Sequence, residues 1–296
     1  MKIGAIFPTT EIGSDPAAIR DWAQAAEGLG MSHVITYDHV LGAVHAGREP
    51  KLTGPYTEHD PFHEPLVLFA WLAAQTRTLE LATGVLVLPQ RQTALVAKQA
   101  AEVALLSEGR LRLGVGTGWN HVEYEALGLD YESRGARLAE QVDLLRRLWT
   151  EPVIDFRGKF HRVDRAGILP LPKRPIPIWF GGFVPAAFRR AARAGDGFQF
   201  GATGRGVRTQ WAQVKELLAK EGRELAGFGA EATVDYSAGP EAWRAELEAW
   251  REVGGTHFSL RAMDTAAELV GAKRVGYRGL RDYVKALEEF AAVVLR

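Results

Sequence analysis

The sequence predicts a (β/α)8 barrel, an α/β fold in which eight parallel strands alternate with helices. Short apolar runs alternate with amphipathic stretches along the whole chain. Eight such units in 296 residues fit a closed barrel better than an open sheet of about six strands. Glycines and polar residues also come directly after the strands, where this fold builds its site.

The expected strands are short, apolar and bounded by glycine, proline or polar residues. They begin near residues 2, 33, 79, 111, 176, 197, 232 and 256. The expected helices cover residues 16–29, 65–76, 93–107, 134–149, a stretch from near 185, 207–225, 240–253 and 280–294. Ser14 or Asp15 can cap the first helix, and Gly30 suits its end. Because parallel neighbours need crossover connections, this alternation predicts a parallel sheet.

We expect one domain over residues 1–296, with two interruptions of the regular alternation. Residues 40–64 form a loop too long for an ordinary connection, and its aromatic and charged tip favours an active-site cover over simple packing. Residues 151–175 contain a hairpin turning at Arg157–Gly158, which we interpret as an insertion before the fifth strand. The alternative fold, a doubly wound sheet, should have a glycine fingerprint after strand one, where this chain has Phe7-Pro8-Thr9-Thr10.

Composition narrows the function classes. With 36 basic and 36 acidic residues, no overall basic surface for nucleic acid or anionic lipid is indicated. The absence of cysteine excludes disulfides, thiolate metal sites and cysteine nucleophiles. No apolar run approaches the ~18 residues of a membrane span, and the first strand is too short for a signal peptide. We therefore expect a soluble, cytoplasmic protein with a small-molecule substrate; a homodimer is compatible with the sequence but not indicated by it.

The end of the second strand carries Asp38 beside His39. Taken alone, such a dipeptide is more often a turn cap next to a solvated histidine. Three further features share the same predicted edge of the barrel: Thr83-Gly84-Val85, Gly116-Thr117-Gly118-Trp119-Asn120 and Gly181-Gly182. A glycine inside a β-branched run indicates a bulge or a close backbone approach, and glycines before a helix suit an anion. Together they predict a site for a phosphorylated planar cofactor.

A metal-dependent hydrolase is the competing interpretation of the histidines. Candidate ligands are His45, His59 and His63 in the long loop and His121 after the fourth strand. No His-x-His follows strand one and no lone histidine ends a middle strand, so we predict no metal. His161 and His257 are expected to be structural.

Four runs give the sequence a specific family resemblance over essentially its whole length. They are residues 83–91, 113–120, 176–182 and 194–197. These runs resemble the luciferase-like monooxygenase superfamily, and in particular its deazaflavin branch, which uses coenzyme F420. The resemblance implies a bacterial-luciferase-like (β/α)8 barrel with an insertion before strand five.

The resemblance also implies roles for individual residues. Asp38 would contact the cofactor, and His39 would be the acid/base beside the reacting carbon. A non-prolyl cis peptide would join Gly84 and Val85. The positions that match cofactor-contacting residues are Asp38, Thr83, Gly84, Val85, Val87, Gly116, Thr117, Gly118, Gly181, Gly182, Ala186 and Ala187.

The chain departs from one branch of this family in a way that bears on the substrate. Sugar-phosphate dehydrogenases carry a glutamate after the Gly-Thr-Gly turn, where this chain has Trp119. Together with Tyr56 and Phe62, Trp119 indicates a flatter and more apolar substrate. Arg205, after the sixth strand, could hold an anionic group or could be a solvated surface residue.

The resulting hypothesis is an oxidoreductase that moves a hydride between coenzyme F420 and an organic, fairly apolar substrate, with His39 handling the proton. An alternative is an FMN-dependent monooxygenase that uses reduced flavin and oxygen, since both cofactors present a tricyclic ring and a phosphate. A third hypothesis is a non-catalytic flavin- or deazaflavin-binding protein.

Overall fold

The computed structural model describes residues 1–295 and confirms the (β/α)8 barrel. Eight barrel positions are filled by parallel strands, and the third position is broken into two pieces. In chain order the strands are β1 (Lys2–Ile6), β2 (His33–Thr36), β3 (Glu80–Thr83), its continuation β4 (Leu86–Val87), β5 (Leu111–Gly116), the hairpin strands β6 (Ile154–Arg157) and β7 (Arg162–Ala166), then β8 (Ile178–Gly181), β9 (Gly197–Phe200), β10 (Gly229–Asp235) and β11 (His257–Arg261).

The sheet closes because β1 pairs with both β2 and β11, and β3 pairs with β5. Between these, β5, β8, β9, β10 and β11 pair in sequence. The third position ends its first piece at Thr83 and resumes at Leu86, which pairs with Val115. The predicted irregularity at Gly84–Val85 therefore lies at the carboxyl end of the third barrel strand, where this fold builds its sites.

Helices cover the outside of the barrel and match the predicted spans to within about one residue, except that the helix predicted over 207–225 begins at Arg205 and ends at Lys220. They are α1 (Pro16–Gly28), α2 (Pro65–Gln75), α3 (Thr93–Leu106), α4 (His121–Ala126), α5 (Arg134–Thr150), α6 (Pro185–Ala194), α7 (Arg205–Lys220), α8 (Pro240–Glu252) and α9 (Leu280–Val294). Asp15 caps α1 by accepting a bond from the Ala17 N–H at 2.9 Å, as expected for an N-cap carboxylate. The short helix α4 was not predicted. No helix in residues 1–295 is long and apolar enough to cross a membrane.

The hairpin of β6 and β7 forms its own two-stranded sheet apart from the barrel. Its turn lies slightly later than predicted, because Arg157 still pairs with Arg162 and the Gly158 N–H bonds the His161 carbonyl. Glu140 of α5 accepts backbone bonds from residues 159–161. That carboxylate fixes the turn from outside the hairpin, so the local sequence could not position it. The status of residues 151–175 as an insertion stays a prediction.

The main apolar core lies between the barrel and its helices and includes Trp22, Trp211, Trp243 and Trp250, each at most 2% exposed. A separate small cluster lies inside the barrel near its mouth. The barrel interior also contains buried polar residues, among them His33, Arg112 and Glu231. Apolar packing thus fixes the helices against the outside of the barrel. Charged and ligand-binding groups can therefore lie inside the barrel.

Candidate active site

A cavity of about 460 Å³ opens among the carboxyl ends of the barrel strands. That volume is within the usual range for small-molecule sites. Eight of the predicted cofactor positions line it: Gly84, Val85, Gly116, Thr117, Gly118, Gly181, Gly182 and Ala187. The structure therefore brings the three glycine-containing features of the sequence into one wall.

Val85 stands at the centre of that wall. The Gly84–Val85 peptide is cis, which confirms the conformation implied by the family resemblance. A Cβ built on Gly116 would lie 2.4 Å from the Val85 side chain, and one on Gly181 would lie 2.6 Å from it. Only glycine lets the two turns close around Val85, so these glycines shape the cavity wall through packing.

His39 lies beyond this wall and is held by a buried carboxylate. Its Nδ1 is 3.0 Å from Oε2 of Glu123, whose side chain is 1% exposed. The other oxygen of Glu123 accepts the backbone N–H groups of Val40 and Leu41 at 2.6 and 3.0 Å. Burial would raise the pKa of Glu123, but its bonds to His39, Leu41 and Gln90 hold that pKa below its ordinary value. Because an ionised carboxylate only accepts hydrogen bonds, Nδ1 carries the proton and Nε2 is left unprotonated in the neutral ring.

Three aromatic rings surround His39. The ring centroids of Tyr56, Phe62 and Trp119 lie 5.3, 4.9 and 5.4 Å from that of the histidine. Tyr56 and Phe62 come from the loop of residues 40–64, and Trp119 follows β5. Trp119 also lines the cavity, whereas His39 does not. Tyr56, Phe62 and Trp119, the predicted substrate residues, thus meet around the imidazole, and Trp119 borders both the imidazole and the cavity.

Asp38 is buried away from the cavity wall, and its contact with the cofactor stays a prediction. It is 3% exposed, and its oxygens accept the Val87 N–H at 2.8 Å and an Arg91 N–H at 2.7 Å. Burial raises the pKa of Asp38, and the charge of Arg91 opposes that rise. Asp38 ties the end of β2 to β4 and does not line the cavity.

Four other predicted residues also lie away from the cavity wall. Thr83 is buried and donates to the Gly114 carbonyl. Val87 is buried beneath Gly118, and Ala186 faces a neighbouring groove between α5 and α6. Arg205 is exposed at the start of α7. Their roles in binding stay predictions, and none of them is a wall residue of this cavity.

Glu123 was missed because it follows the Gly-Thr-Gly turn at a distance. It lies in the first turn of α4, and Asn120 caps that helix through a bond from the Val122 N–H. The helix turns Glu123 back towards His39, 84 residues earlier in the chain. The only sequence signal was a carboxylate four residues beyond Trp119. Its role could not be inferred without knowing that the short helix α4 turns it towards His39.

A pair of arginines on the cavity wall was also missed. Arg134 and Arg190 both line the cavity, and the Arg190 guanidinium lies against the start of α5, where a Cβ on Gly135 would be 2.2 Å from its Nη2. Within residues 1–295 Arg190 makes no ion pair, and Arg134 is 3.9 Å from exposed Glu132. Burial, together with the nearby charges of Arg189 and Arg134, lowers the pKa of Arg190. Two guanidinium groups on one wall, one of them without an ion pair and the other only loosely paired with an exposed carboxylate, favour an anionic ligand.

The floor of the cavity carries a third unpredicted residue, Gln199 of β9. It is 8% exposed. Neither its Oε1 nor its Nε2 has a hydrogen-bond partner in residues 1–295. The same part of the chain contains no group of three histidine, aspartate or glutamate side chains that could hold a metal ion.

Comparison with known proteins assigns the family. Residues 1–292 match the family described as luciferase-like monooxygenase. The chain belongs to this family. It is 31% identical to an F420-dependent glucose-6-phosphate dehydrogenase of Kribbella flavida, over 91% of this chain and 79% of that one. Relatives of this kind support an oxidoreductase.

Two further relatives of this luciferase-like protein extend the comparison. An uncharacterised protein of Mycobacterium tuberculosis is 38% identical over 60% of this chain, and the matched segment spans 63% of that relative's length. The crystal structure of a monooxygenase from Streptomyces bottropensis has a TM-score of 0.77 at 20% identity and covers 100% of this chain and 99% of that one. At that identity the structural likeness establishes the barrel and not the reaction.

Proposed function

We propose that this luciferase-like protein is an F420-dependent oxidoreductase that transfers a hydride between the deazaflavin and an organic, fairly apolar substrate. The observation that carries the proposal is the pair of His39 and Glu123 beside the cavity. A histidine fixed at one ring nitrogen, with the other left unprotonated, is suited to proton exchange with a reacting group. The bound deazaflavin would supply the hydride chemistry at its C5 carbon.

In this proposal Glu123 is a positioning residue and His39 the acid/base. Glu123 accepts the hydrogen bond from the Nδ1–H group of His39. This leaves Nε2 as the atom that takes or gives a proton. The same carboxylate holds the backbone of Val40 and Leu41, which couples the imidazole to the start of the covering loop. Tyr56, Phe62 and Trp119 exclude water from the imidazole, which strengthens its electrostatic interactions with a substrate.

The residues around the cavity fit a tricyclic ring that carries a phosphate. Val85 and the two glycine turns form a largely apolar wall. Gly181 and Gly182 come before the N-terminus of α6, and no acidic residue lies in its first turn. Arg134 and Arg190 add positive charge on the same wall. We assign the phosphate to this end, since helix N-termini and guanidinium groups both favour phosphate oxygens.

The substrate side of the proposal rests on the aromatic rings. Trp119 occupies the position after the Gly-Thr-Gly turn and packs 5.4 Å from His39. A sugar phosphate would need polar partners there, and an indole supplies only one N–H donor. We therefore expect small apolar alcohols, ketones or activated alkenes in preference to glucose 6-phosphate.

The experiment is a titration of the purified protein with coenzyme F420 and, separately, with FMN, followed by cofactor fluorescence. We expect micromolar or tighter binding of coenzyme F420. Binding of FMN alone would support the monooxygenase alternative and reject the cofactor that we propose.

The catalytic part is tested with His39→Gln, and exposed His59→Gln in the same loop serves as the matched control. We expect His39→Gln to retain cofactor affinity and to lose about 100-fold or more in turnover, measured as cofactor oxidation or reduction across a panel of apolar alcohols, ketones and alkenes. Full turnover with an unchanged pH profile would remove His39 from the mechanism. Binding of coenzyme F420 with no turnover of any substrate would favour a non-catalytic binding protein.

A further inference from the structure

Gln199 has a chemical property that no other residue of the cavity floor shares. Its carboxamide offers one acceptor and two donors, and both of its polar atoms are buried without a partner in the described residues. An unpaired buried amide is costly, and native proteins rarely keep one without a use. Its neighbour on β10, Glu231, is bonded to His33, Arg112 and Ser259 and makes no hydrogen bond to Gln199.

The amide is buried inside the barrel and reaches towards the fourth and third barrel strands. Gln199 sits on the sixth barrel strand, in register with Gly181 and Glu231. A Cβ built on Gly114, on the fourth barrel strand, would stand 2.8 Å from Oε1 and 3.1 Å from Nε2. A Cβ on Gly84 would be 3.5 Å from Oε1. Gly84 and Gly114 therefore both lie against the amide, and a side chain at Gly114 would crowd it.

A ligand that satisfies both amide atoms must present a donor and an acceptor side by side. The pyrimidinedione edge of a flavin-type ring does so, since its imide N–H lies between two carbonyl oxygens. We propose that Gln199 binds this imide edge and directs it towards the barrel axis, with the phosphate end at Arg134 and Arg190. This inference rests on the proposed function, because it requires a flavin-type ring. It does not depend on which cofactor binds, since coenzyme F420 and FMN have the same imide edge.

The test uses Gln199→Met, which keeps the length and removes both polar atoms, and exposed Gln213→Met on α7 as the matched control. The probes are coenzyme F420, FMN and the N3-methyl derivative of each, and the readout is the dissociation constant from fluorescence. Wild-type protein should bind the parent ring about tenfold more tightly than its N3-methyl derivative. Gln199→Met should bind the parent about tenfold more weakly than wild type and should not distinguish the two probes.

Each outcome separates the two proposals. Unchanged affinity in Gln199→Met, or N3-methyl discrimination that persists in it, would overturn the role of Gln199 while leaving cofactor binding intact. Failure of wild-type protein to bind any of the probes would overturn the proposed function and this inference together.

A second readout needs no cofactor. Gln199→Met replaces an unpaired buried amide with an apolar side chain of the same length. We expect the melting temperature of the ligand-free protein to stay unchanged or to rise. A fall of several degrees, absent from Gln213→Met, would assign Gln199 to the fold and overturn the inference.

Discussion

The barrel contains two buried histidine–glutamate pairs that have the same chemistry and different surroundings. At the mouth, His39 Nδ1 meets Glu123 at 3.0 Å. In the interior, His33 Nε2 meets Glu231 at 2.5 Å and Ser259 at 2.9 Å, and His33 Nδ1 is 2.8 Å from Ser32. Both ring nitrogens of His33 are therefore engaged within the protein, whereas Nε2 of His39 has no partner in residues 1–295.

The interior pair belongs to a larger closed cluster. Arg112 bonds Glu231 at 2.8 Å, pairs with Glu80 at 2.7 Å and lies 4.1 Å above the Trp179 ring. Burial would raise the pKa of Glu231, but the charges of Arg112 and His33 lower it well below its ordinary range. A histidine with both nitrogens occupied can support the fold but cannot exchange a proton with a ligand. The two pairs therefore differ in one ring nitrogen, which is bonded in His33 and has no partner within residues 1–295 in His39.

The largest expected effect is on stability, from Glu231→Gln in the interior pair. The substitution keeps the shape and removes the more deeply buried of the two carboxylate charges that pair with Arg112. Breaking a buried pair by removing one partner typically costs about 3 kcal/mol or more. The free energy of unfolding, measured by urea denaturation at neutral pH, should fall by about that amount.

The control for this loss is Glu151→Gln, which removes a carboxylate from an exposed pair with Arg147 on the outer surface. Exposed pairs of this kind contribute little to stability, because solvent screens their charges. A Glu231→Gln loss no larger than that of the control would mean that the interior cluster is not held by its charges.

The second effect is on chemistry, from Glu123→Gln in the mouth pair. The amide can donate to Nδ1, so the tautomer of His39 should shift towards protonated Nε2, and turnover should fall by about 100-fold, which is about 2.7 kcal/mol. The tautomer is measured by ¹⁵N chemical shifts of the His39 ring. Exposed Glu125→Gln, on the same helix α4, should change neither quantity. An unchanged tautomer in Glu123→Gln would show that the carboxylate does not set the protonation of the imidazole.

Much of the barrel could be predicted because each strand has a local sequence signal. Runs such as 176–180 and 197–201 are apolar and end at glycine, and helix spans follow from caps such as Asp15 and from apolar spacing. Short segments without apolar periodicity were missed, as α4 shows. The turn of the β6–β7 hairpin was misplaced because Glu140, on another element, decides it.

The site divides in the same way. Glycines at strand ends can be recognised from sequence because they follow apolar runs, and they do form one cavity wall. Sequence alone could not identify three further site residues, Glu123, Arg190 and Gln199. The position of each depends on contacts with residues more than 15 positions away in the chain. Asp38 was recognised, but its carboxylate is used by Val87 and Arg91, contacts that no local pattern reveals.

The third effect is a pH dependence of stability that arises in the interior cluster. Burial and the charge of Arg112 lower the pKa of His257 to about 2, against about 6.5 in the unfolded chain. Between these values the unfolded chain binds more protons, so stability falls as the pH falls below about 6.5. At about pH 5.5 the loss should be about 1.4 kcal/mol.

This dependence is measured by urea denaturation at about pH 7.5 and about pH 5.5 in wild type and His257→Gln. The variant should lose about 1.4 kcal/mol less than wild type over that interval. His59→Gln, which removes an exposed histidine, should keep the wild-type slope. Equal slopes in wild type and His257→Gln would assign the acid sensitivity to other groups; Glu231 titrates below this window because its pKa is lowered.

The smallest effect tests whether the aromatic rings limit access to the imidazole at the mouth. Phe62→Leu keeps most of the apolar volume but removes an edge-to-face pair with His39 at 4.9 Å, and such pairs contribute about 0.5–1.5 kcal/mol. Local opening of the loop should become about fivefold more frequent. The rate at which diethyl pyrocarbonate modifies Nε2 of His39, followed by peptide mass spectrometry, should rise by that factor. His33, with both nitrogens bonded and its side chain fully buried, should stay unmodified in both proteins. Equal rates at His39 in the two proteins would mean that the loop does not gate the imidazole, and modification of His33 would contradict the distinction between the two pairs.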